Sequence, residues 1–284
     1  MLHVAKKIIN FILSKFGFRI VSIKYKFPQR KFKKENFALG YNENDLNLNI
    51  GSGGENYPFF INLDLPSAYY KRRQKNHKFV PFDLTKDKIP YDDNTVSNIF
   101  CSHVIEHCED RHVKNFLVEC IRVLKKNGVL RISCPDAKFL YDVSSFENEY
   151  WHRIKNHKTT WCGRDPISVS NQDCFIYSLS TDKLSLDQKT YETICSDIKG
   201  MDYSDSAKFL TKDDKFISDN PGRHINYFDF EKIQNMLKNA FSQLNIQNYK
   251  IINSKPRGSI SQLMSEDCFG EKQHMSIFVD CVKL

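Results

Sequence analysis

The sequence predicts an α/β fold built on a mostly parallel sheet, and three observations carry that prediction. An apolar strand, Leu46–Ile50, runs directly into the glycine turn Gly51-Ser-Gly-Gly54. A second apolar stretch, Ile61-Asn-Leu-Asp64, ends on a carboxylate. From there to residue 135, short strand-like runs alternate with turns and helical segments, as they do in parallel sheets. Glycine lets the backbone turn sharply and come close to a ligand. Ligands of open α/β sheets lie outside the carboxyl ends of the strands. A carboxylate at such an end can accept from ribose hydroxyls, so the pair reads as a nucleoside site, with a turn that binds nothing as the alternative. The dinucleotide fingerprint is not met, because its third glycine position is Asn56 and Asp64 follows too early. No G-K-[ST] follows the turn either, so a phosphate loop of the Walker type is absent.

The first element is a basic amphipathic helix. Val4, Ile8, Phe11, Ile12 and Phe16 share one face, with Lys6, Lys7 and Lys15 off it. Such a helix suits an anionic membrane surface, or packing on its own domain or a partner. Residues 1–36 hold ten Lys/Arg and one acid, whereas the rest of the chain holds 32 Lys/Arg and 33 acids. The basic excess therefore sits in the tail, and nucleic-acid binding by the body is not expected. Across 284 residues, 40% of them hydrophobic, one domain with an inserted lobe is expected. The division is 1–36 for helix and linker and 37–284 for the domain. No apolar run reaches the roughly 18 residues of a membrane span, and no signal-peptide cleavage pattern follows the helix. Nine cysteines without C-x-x-C spacing point to reduced thiols and a cytoplasmic setting.

The strands follow in order. Leu46–Ile50 is the first, Phe60–Asp64 the second, and Lys78–Asp83 the third. After the turn Pro90–Asn94, Val96–Cys101 is the fourth. Val113, Phe116, Leu117, Cys120, Ile121 and Leu124 then line one face of a helix, stopped by Lys125-Lys-Asn-Gly128 with Gly128 as its cap. Val129–Cys134 is the fifth strand. Residues 136–222 lose this rhythm and read as a lobe over the strand tips. Their aromatic residues, Trp151 and Trp161 included, form either a core of the lobe or a stacking surface for a sugar. Asp229 is placed to cap a helix carrying Phe230, Ile233, Leu237, Ala240 and Phe241. Strands at about 246–252 and 274–282 complete the sheet.

Four segments in order then carry a family resemblance: Leu48-Asn-Ile-Gly-Ser-Gly53, Asn62-Leu-Asp64, Phe82-Asp-Leu-Thr85, and Cys101-Ser-His-Val-Ile-Glu-His107 leading to Arg122-Val-Leu-Lys-Lys-Asn-Gly128. The chain resembles the class I S-adenosylmethionine-dependent methyltransferases, in the branch found in bacterial surface-polysaccharide (capsule) biosynthesis. The likeness covers about residues 44–136. It implies a Rossmann-like seven-stranded sheet in the order 3-2-1-4-5-7-6, with the last strand antiparallel. It also implies S-adenosylmethionine as cofactor, with S-adenosylhomocysteine as product. Gly51, Ser52 and Gly53 would then pass under the methionine portion, Asp64 with Leu65 would hold the ribose, and Asp83 with the Leu84 amide would take the adenine. Ser102 and His103 would line the sulfonium end. Asn49 stands where many members carry an acid. The implied acceptor is a sugar or phosphate-containing precursor of a surface glycan. A homodimer and peripheral membrane contact through residues 1–20 stay open.

The bland alternatives are local. Asp64 could cap a turn, and Asp83 could cap the turn at Thr85. Methyl transfer to a hydroxyl needs a base, for which His103 and His224 are the candidates; His224 could equally be a surface turn histidine. A phosphate acceptor would need no base, and Arg223 could hold it. His103-Val-Ile-Glu-His107 also spells the H-x-x-E-H of inverted zinc peptidases. His103 follows a strand too closely to share a helix face with His107, so no metal is expected, and a zinc hydrolase on His103, Glu106 and His107 is a remote alternative. A cofactor-binding partner module without catalysis is another.

Overall fold

A computed structural model of the chain describes residues 42–284 except 43, 56, 58, 76–77, 145–169, 186, 256–263 and 265–275. The chain divides into two units, Met1–Lys33 and Lys34–Leu284, and every described residue lies in the second. The amphipathic helix, Trp151 and Trp161 lie outside the described residues.

Seven strands form one sheet: β1 (Leu46–Ile50), β2 (Ile61–Asp64), β3 (Val80–Pro81), β4 (Val96–Ser102), β5 (Leu124–Pro135), β6 (Tyr249–Asn253) and β7 (Ser276–Lys283). Their order is β3-β2-β1-β4-β5-β7-β6, as the resemblance implied. Pairings from β3 through β5 are parallel, and β7 runs antiparallel to both β5 and β6. The helices are α1 (Lys71–Gln74), α2 (Asp110–Val123), α3 (Ala137–Ser144), α4 (Asn171–Leu179), α5 (Gln188–Asp197), α6 (Tyr203–Thr211) and α7 (Phe230–Gln243).

Leu48 and Ile50 of β1 point into the main core with Leu63, Ile99, Cys101, Leu130 and Ile132. The other face of β1 carries Asn47 and Asn49, which are also buried. They are tolerated because they bond across the sheet. Asn98 Nδ2 donates to Asn47 Oδ1 at 2.7 Å, and Asn49 Nδ2 donates to Asn62 Oδ1 at 2.9 Å. Helix α2 buries Val113, Phe116, Leu117, Cys120 and Ile121 at helical spacing, and α7 buries Ile233, Met236, Leu237, Ala240 and Phe241 beside it in the same core. Each large side chain there stabilises the fold by roughly 1.5–3 kcal/mol. The Asp229 side chain accepts from the Lys232 amide at 2.7 Å and starts α7. At the end of α2, Lys283 Nζ donates to the carbonyls of Ile121 and Leu124, tying β7 to carbonyls the helix leaves unpaired.

Three sequence expectations are corrected. Among the described residues no helix joins β1 to β2 or β3 to β4; the alternation is completed by loops there. The third strand is only Val80–Pro81, paired with Leu63 and Asp64; after it Phe82 packs into the main core and Asp83 opens a turn by accepting from the Thr85 amide. Helix α2 ends at Val123, since Leu124 is extended and pairs with Val96 of β4. The left-handed residue of the turn is Asn127 (φ 61°), not Gly128. Glycine is needed at 128 for closeness instead, as a Cβ there would lie 2.8 Å from the Lys125 carbonyl oxygen.

A second hydrophobic cluster gathers Ala137, Leu140 and Val143 of α3, Phe175, Ile176 and Leu179 of α4, and Ala207 and Leu210 of α6. Tyr141 meets Phe175 and Tyr203 edge-on at 5.6 and 5.9 Å. These aromatic residues serve as the segment's own core.

Candidate active site

The site lies at the carboxyl ends of β1 to β5, where parallel strands deliver their loops to one edge. Gly51 closes β1 with φ 70°, and its amide donates to the Leu63 carbonyl at 2.8 Å. A Cβ on Gly51 would sit 2.2 Å from Val104 Cγ2, so the turn lies directly under the segment that follows β4. Gly53 is also left-handed, at φ 60°, but a Cβ there would meet only the Gly51 carbonyl oxygen at 3.9 Å. Two left-handed residues so close together favour glycine at both.

Asp64, buried at the end of β2, reaches back to this turn. Its Oδ2 accepts from the Gly53 amide at 2.8 Å and from Ser52 Oγ at 3.4 Å, and its Oδ1 accepts from the Leu65 amide at 2.8 Å. The carboxylate therefore braces the turn that the sequence placed beside it. A carboxylate has about four acceptor positions, so strong bonds fill two of Asp64's and capacity remains for a ligand hydroxyl. Asn49, in place of an acid, donates to Asn62 and, at 3.4 Å, to the Glu55 carbonyl, which pins both ends of the loop.

Asp83 accepts from the Thr85 amide (2.9 Å) and hydroxyl (2.6 Å) through Oδ1, and pairs with Lys86 through Oδ2 at 3.0 Å. Burial pushes its carboxyl up, but the Thr85 bonds and Lys86 outweigh this and hold it below the usual range. The local capping reading of Asp83 is thus realised, while Oδ2 pairs with the exposed Lys86. Leu84 packs its side chain on the main core. Neighbouring β2 and β3 bring both acids to the same edge, the Phe82 amide donating to the Asp64 carbonyl at 2.9 Å.

At the end of β4 the Ser102 hydroxyl meets that of Ser133 on β5 at 2.7 Å, and the His103 amide donates to the Ser133 carbonyl at 2.8 Å. His103 is left-handed, at φ 55°, unusual enough in a non-glycine residue to point to a constrained position. Its Nδ1 lies 3.0 Å from Glu106 Oε1 and its Nε2 lies 2.9 Å from Ser276 Oγ of β7. Burial alone would raise the Glu106 carboxyl, but the hydrogen bond to His103 and the neighbouring His103, His107 and His224 lower it to about 2. An ionised carboxylate only accepts, so Nδ1 carries the proton, and in neutral His103 Nε2 accepts from Ser276. The arrangement is a histidine with an orienting acid. Because both ring nitrogens of His103 are engaged, the zinc set of His103, Glu106 and His107 is not formed.

His224 is not a surface turn residue. Its Nδ1 bonds the Ser178 carbonyl at 2.7 Å, its amide donates to Thr181 Oγ1 at 2.8 Å, and its ring faces His107 at 5.0 Å. Burial, with His107 adding, pushes its imidazole down to about 4, too weak a base for a sugar hydroxyl at neutral pH. Arg223 is paired with Asp182 at 2.5 Å and is largely buried, so it is not a free cation for phosphate. Sequence reasoning missed Ser276 and the buried position of Glu106. Nothing local marks Ser276, which comes to His103 from 173 residues away.

Residues 60–132 match the family model described as Methyltransferase domain. No curated protein matches the chain. Among solved structures, the chain is similar to an S-adenosylmethionine-dependent methyltransferase from Mesorhizobium loti, with 12% identity, TM-score 0.42, and 87% of this chain and 95% of that one covered. It is also similar to a possible histamine N-methyltransferase from Thermotoga maritima, with 11% identity, TM-score 0.39, and all of both chains covered. A third is the plantazolicin methyltransferase BpumL, bound to a desmethyl plantazolicin analogue and S-adenosylhomocysteine, with 11% identity, TM-score 0.43, and 88% and 81% covered. The matched segment, about a quarter of the chain, spans β2 through most of β5 with Asp64, Asp83 and His103 inside it, and has the character of a methyltransferase domain.

Proposed function

We propose that the chain methylates an oxygen of a sugar-containing precursor of a bacterial surface glycan. The observation that supports an oxygen acceptor is the His103–Glu106 pair at the tip of β4, beside the glycine turn. In this reading Gly51, Ser52 and Gly53 pass under the methionine portion of the cofactor. Asp64 takes a ribose hydroxyl at an acceptor position left by Gly53 and Leu65. Asp83 Oδ2 and the Leu84 amide take the adenine, and Ser102 lines the methyl end. The acceptor capacity left on Asp64 and the exposed lysine opposite Asp83 Oδ2 fit an adenosine.

When bound, the cofactor supplies a methyl group already activated by its sulfonium. The chain must then align the acceptor, keep water out and receive one proton. Asn49, Asn62 and Asp64 keep the glycine turn rigid for the first task. His103 is fitted to the last. As the new O–C bond forms and the S–C bond breaks, the acceptor's proton passes to Nε2. It does so directly, with Ser276 displaced, or through Ser276, which gives its own proton to Nε2 as it takes another. The imidazolium so formed faces the ionised Glu106. A phosphate acceptor would need a free cation instead, and Arg223 is committed to Asp182.

The glycan acceptor rests on the resemblance. The basic 1–36 segment supports work at an anionic membrane surface from the cytoplasmic side. No helix among the described residues is long and apolar enough to cross a membrane. Calorimetry with S-adenosylhomocysteine tests the nucleoside site: Asp64→Ala should weaken binding by roughly 1.5–3 kcal/mol, and unchanged affinity would remove Asp64 from it. Labelled methyl transfer to nucleotide- and lipid-linked sugars tests the acceptor. Turnover lowered roughly 10²–10⁴-fold by His103→Gln is expected, and a product methylated on nitrogen or phosphate would overturn the reading.

A further inference from the structure

We propose that Glu106, His107 and His224 form a binding site for one divalent first-row transition-metal ion. Glu106 is 1% exposed, and only one of its two oxygens is used, by His103. Its Oε2 is buried and has no hydrogen-bond partner among the described residues. An orphaned oxygen on a buried carboxylate is costly, at about 1–3 kcal/mol or more when charged, and calls for an explanation. Two imidazoles stand next to it. Ligand atoms of Glu106, His107 and His224 all lie within 4.8 Å of one another.

The hydrogen bonds of the two rings fix their tautomers. His107 Nδ1 is 2.8 Å from the Arg223 carbonyl, and His224 Nδ1 is 2.7 Å from the Ser178 carbonyl. A carbonyl can only accept, so both Nδ1 atoms carry the proton, and in each neutral ring Nε2 holds the lone pair. A histidine that ligates a metal is usually oriented in this way, its other nitrogen donating to a backbone carbonyl. The two segments that supply the set are locked together. The Ile225 amide donates to the Glu106 carbonyl at 3.0 Å, and Asn226 Nδ2 donates to the Cys108 carbonyl at 2.9 Å. Glu106 and His107 therefore come from the turn after β4 and meet His224 across a fixed backbone contact.

Two imidazoles and one carboxylate suit Zn²⁺, Fe²⁺ or a neighbouring ion, whereas Mg²⁺ and Ca²⁺ favour oxygen ligands alone. Bonds of about 2.0–2.2 Å put tetrahedral ligand atoms roughly 3.5 Å apart, so the set must close by about an ångström. Three protein ligands leave one position for water or substrate. Glu106 would then join the ion to His103. The binding proposal stands on the three side chains alone and does not rest on the acceptor proposed above.

The test is zinc binding by the full-length chain after chelator treatment, with circular dichroism confirming the fold. Calorimetry should show one equivalent of Zn²⁺ bound per chain. His107→Ala and His224→Ala should each weaken that binding roughly a hundredfold or more, and Glu106→Gln should weaken it as well. His103→Ala should keep the stoichiometry, since His103 is not a ligand. Cobalt loading should give ligand-field absorption that His224→Ala abolishes. Absence of saturable binding would overturn the proposal, as would equal zinc uptake by the folded His107→Ala/His224→Ala double variant.

Discussion

Gly51 and Val104 are in contact: the α-carbon of the first touches the side chain of the second so closely that a methyl group between them would come within 2.2 Å of Val104 Cγ2. The turn after β1 and the turn after β4 are thereby stacked, and the two halves of the site are held at one spacing. Gly51→Ala meets two penalties, the clash and the left-handed backbone. Gly53→Ala meets only the second, about 1–2 kcal/mol. Urea unfolding should show Gly51→Ala to be the more destabilising by at least 1 kcal/mol. Adding Val104→Ala should recover the steric part but not the backbone part. Equal losses for the two glycine variants would mean that the contact does not matter.

The two strand-end acids differ in how they are held, and their amide variants should differ too. Asp64 takes the Leu65 amide on one oxygen and the Gly53 amide on the other. An asparagine offers one acceptor, and its NH₂ would oppose the other N–H. Asp64→Asn should therefore cost about 1–3 kcal/mol of stability. Asp83 takes both Thr85 bonds on one oxygen, and the other pairs with Lys86, whose side chain is 71% exposed. Asparagine can keep the first oxygen's bonds, and an exposed ion pair is worth only about 0–1 kcal/mol. Asp83→Asn should therefore unfold close to the parent in urea while still weakening S-adenosylhomocysteine in calorimetry.

The strands, the glycine turn and the strand-end acids are legible because each rests on a local pattern: apolar runs, glycine at a turn, a carboxylate at a strand tip; the order of the strands came with the family resemblance alone. The end of α2 was not. Lys125-Lys-Asn-Gly128 looks like a helix stop, yet the pairing of Leu124 with Val96 draws the chain into β5 first. The buried asparagines of β1 also read as ordinary polar positions, since the Asn47–Asn98 and Asn49–Asn62 bonds exist only once the strands are neighbours. For the same reason His103 and Glu106 could be named as candidates, while Ser276 and the meeting of His107 with His224 could not. Those contacts join residues 173 and 117 positions apart. Local spacing contains no information of that range.

Asp136, just past β5, gives a pH signature. Burial and then the nearby Asp229 push its carboxyl up, against the Phe139 amide that bonds it. Its folded pKa thus lies above the ordinary value of 3.8. Between those two values the folded chain binds more proton than the unfolded chain, so protonation of Asp136 stabilises the fold as pH falls through that window. That stability is fully present below 3.8 and lost as pH rises through the folded value. Asp136→Asn can keep the Phe139 bond at Oδ1 without the charge. The variant should melt above the parent at pH 7, and the gap should close on acidification. A gap independent of pH would show that the charge is not its source.

Arg131 and Asp280 face each other across β5 and β7 with both side chains fully buried, Nη1 donating to Oδ1 at 3.0 Å. Arg131 also donates to Ser254 Oγ and to the Lys255 carbonyl, which fastens the chain leaving β6. Removing one partner breaks a buried ion pair, so Arg131→Ala should cost about 3–5 kcal/mol. Replacing both with apolar residues of similar volume removes the charge as well as the attraction. Arg131→Met/Asp280→Leu should therefore recover most of that loss, although the Lys255 carbonyl loses its donor. A double-mutant cycle in urea measures the coupling directly. A double variant as unstable as Arg131→Ala alone would show that the guanidinium acts mainly through Ser254 and Lys255, as the clasp on β6, rather than through Asp280.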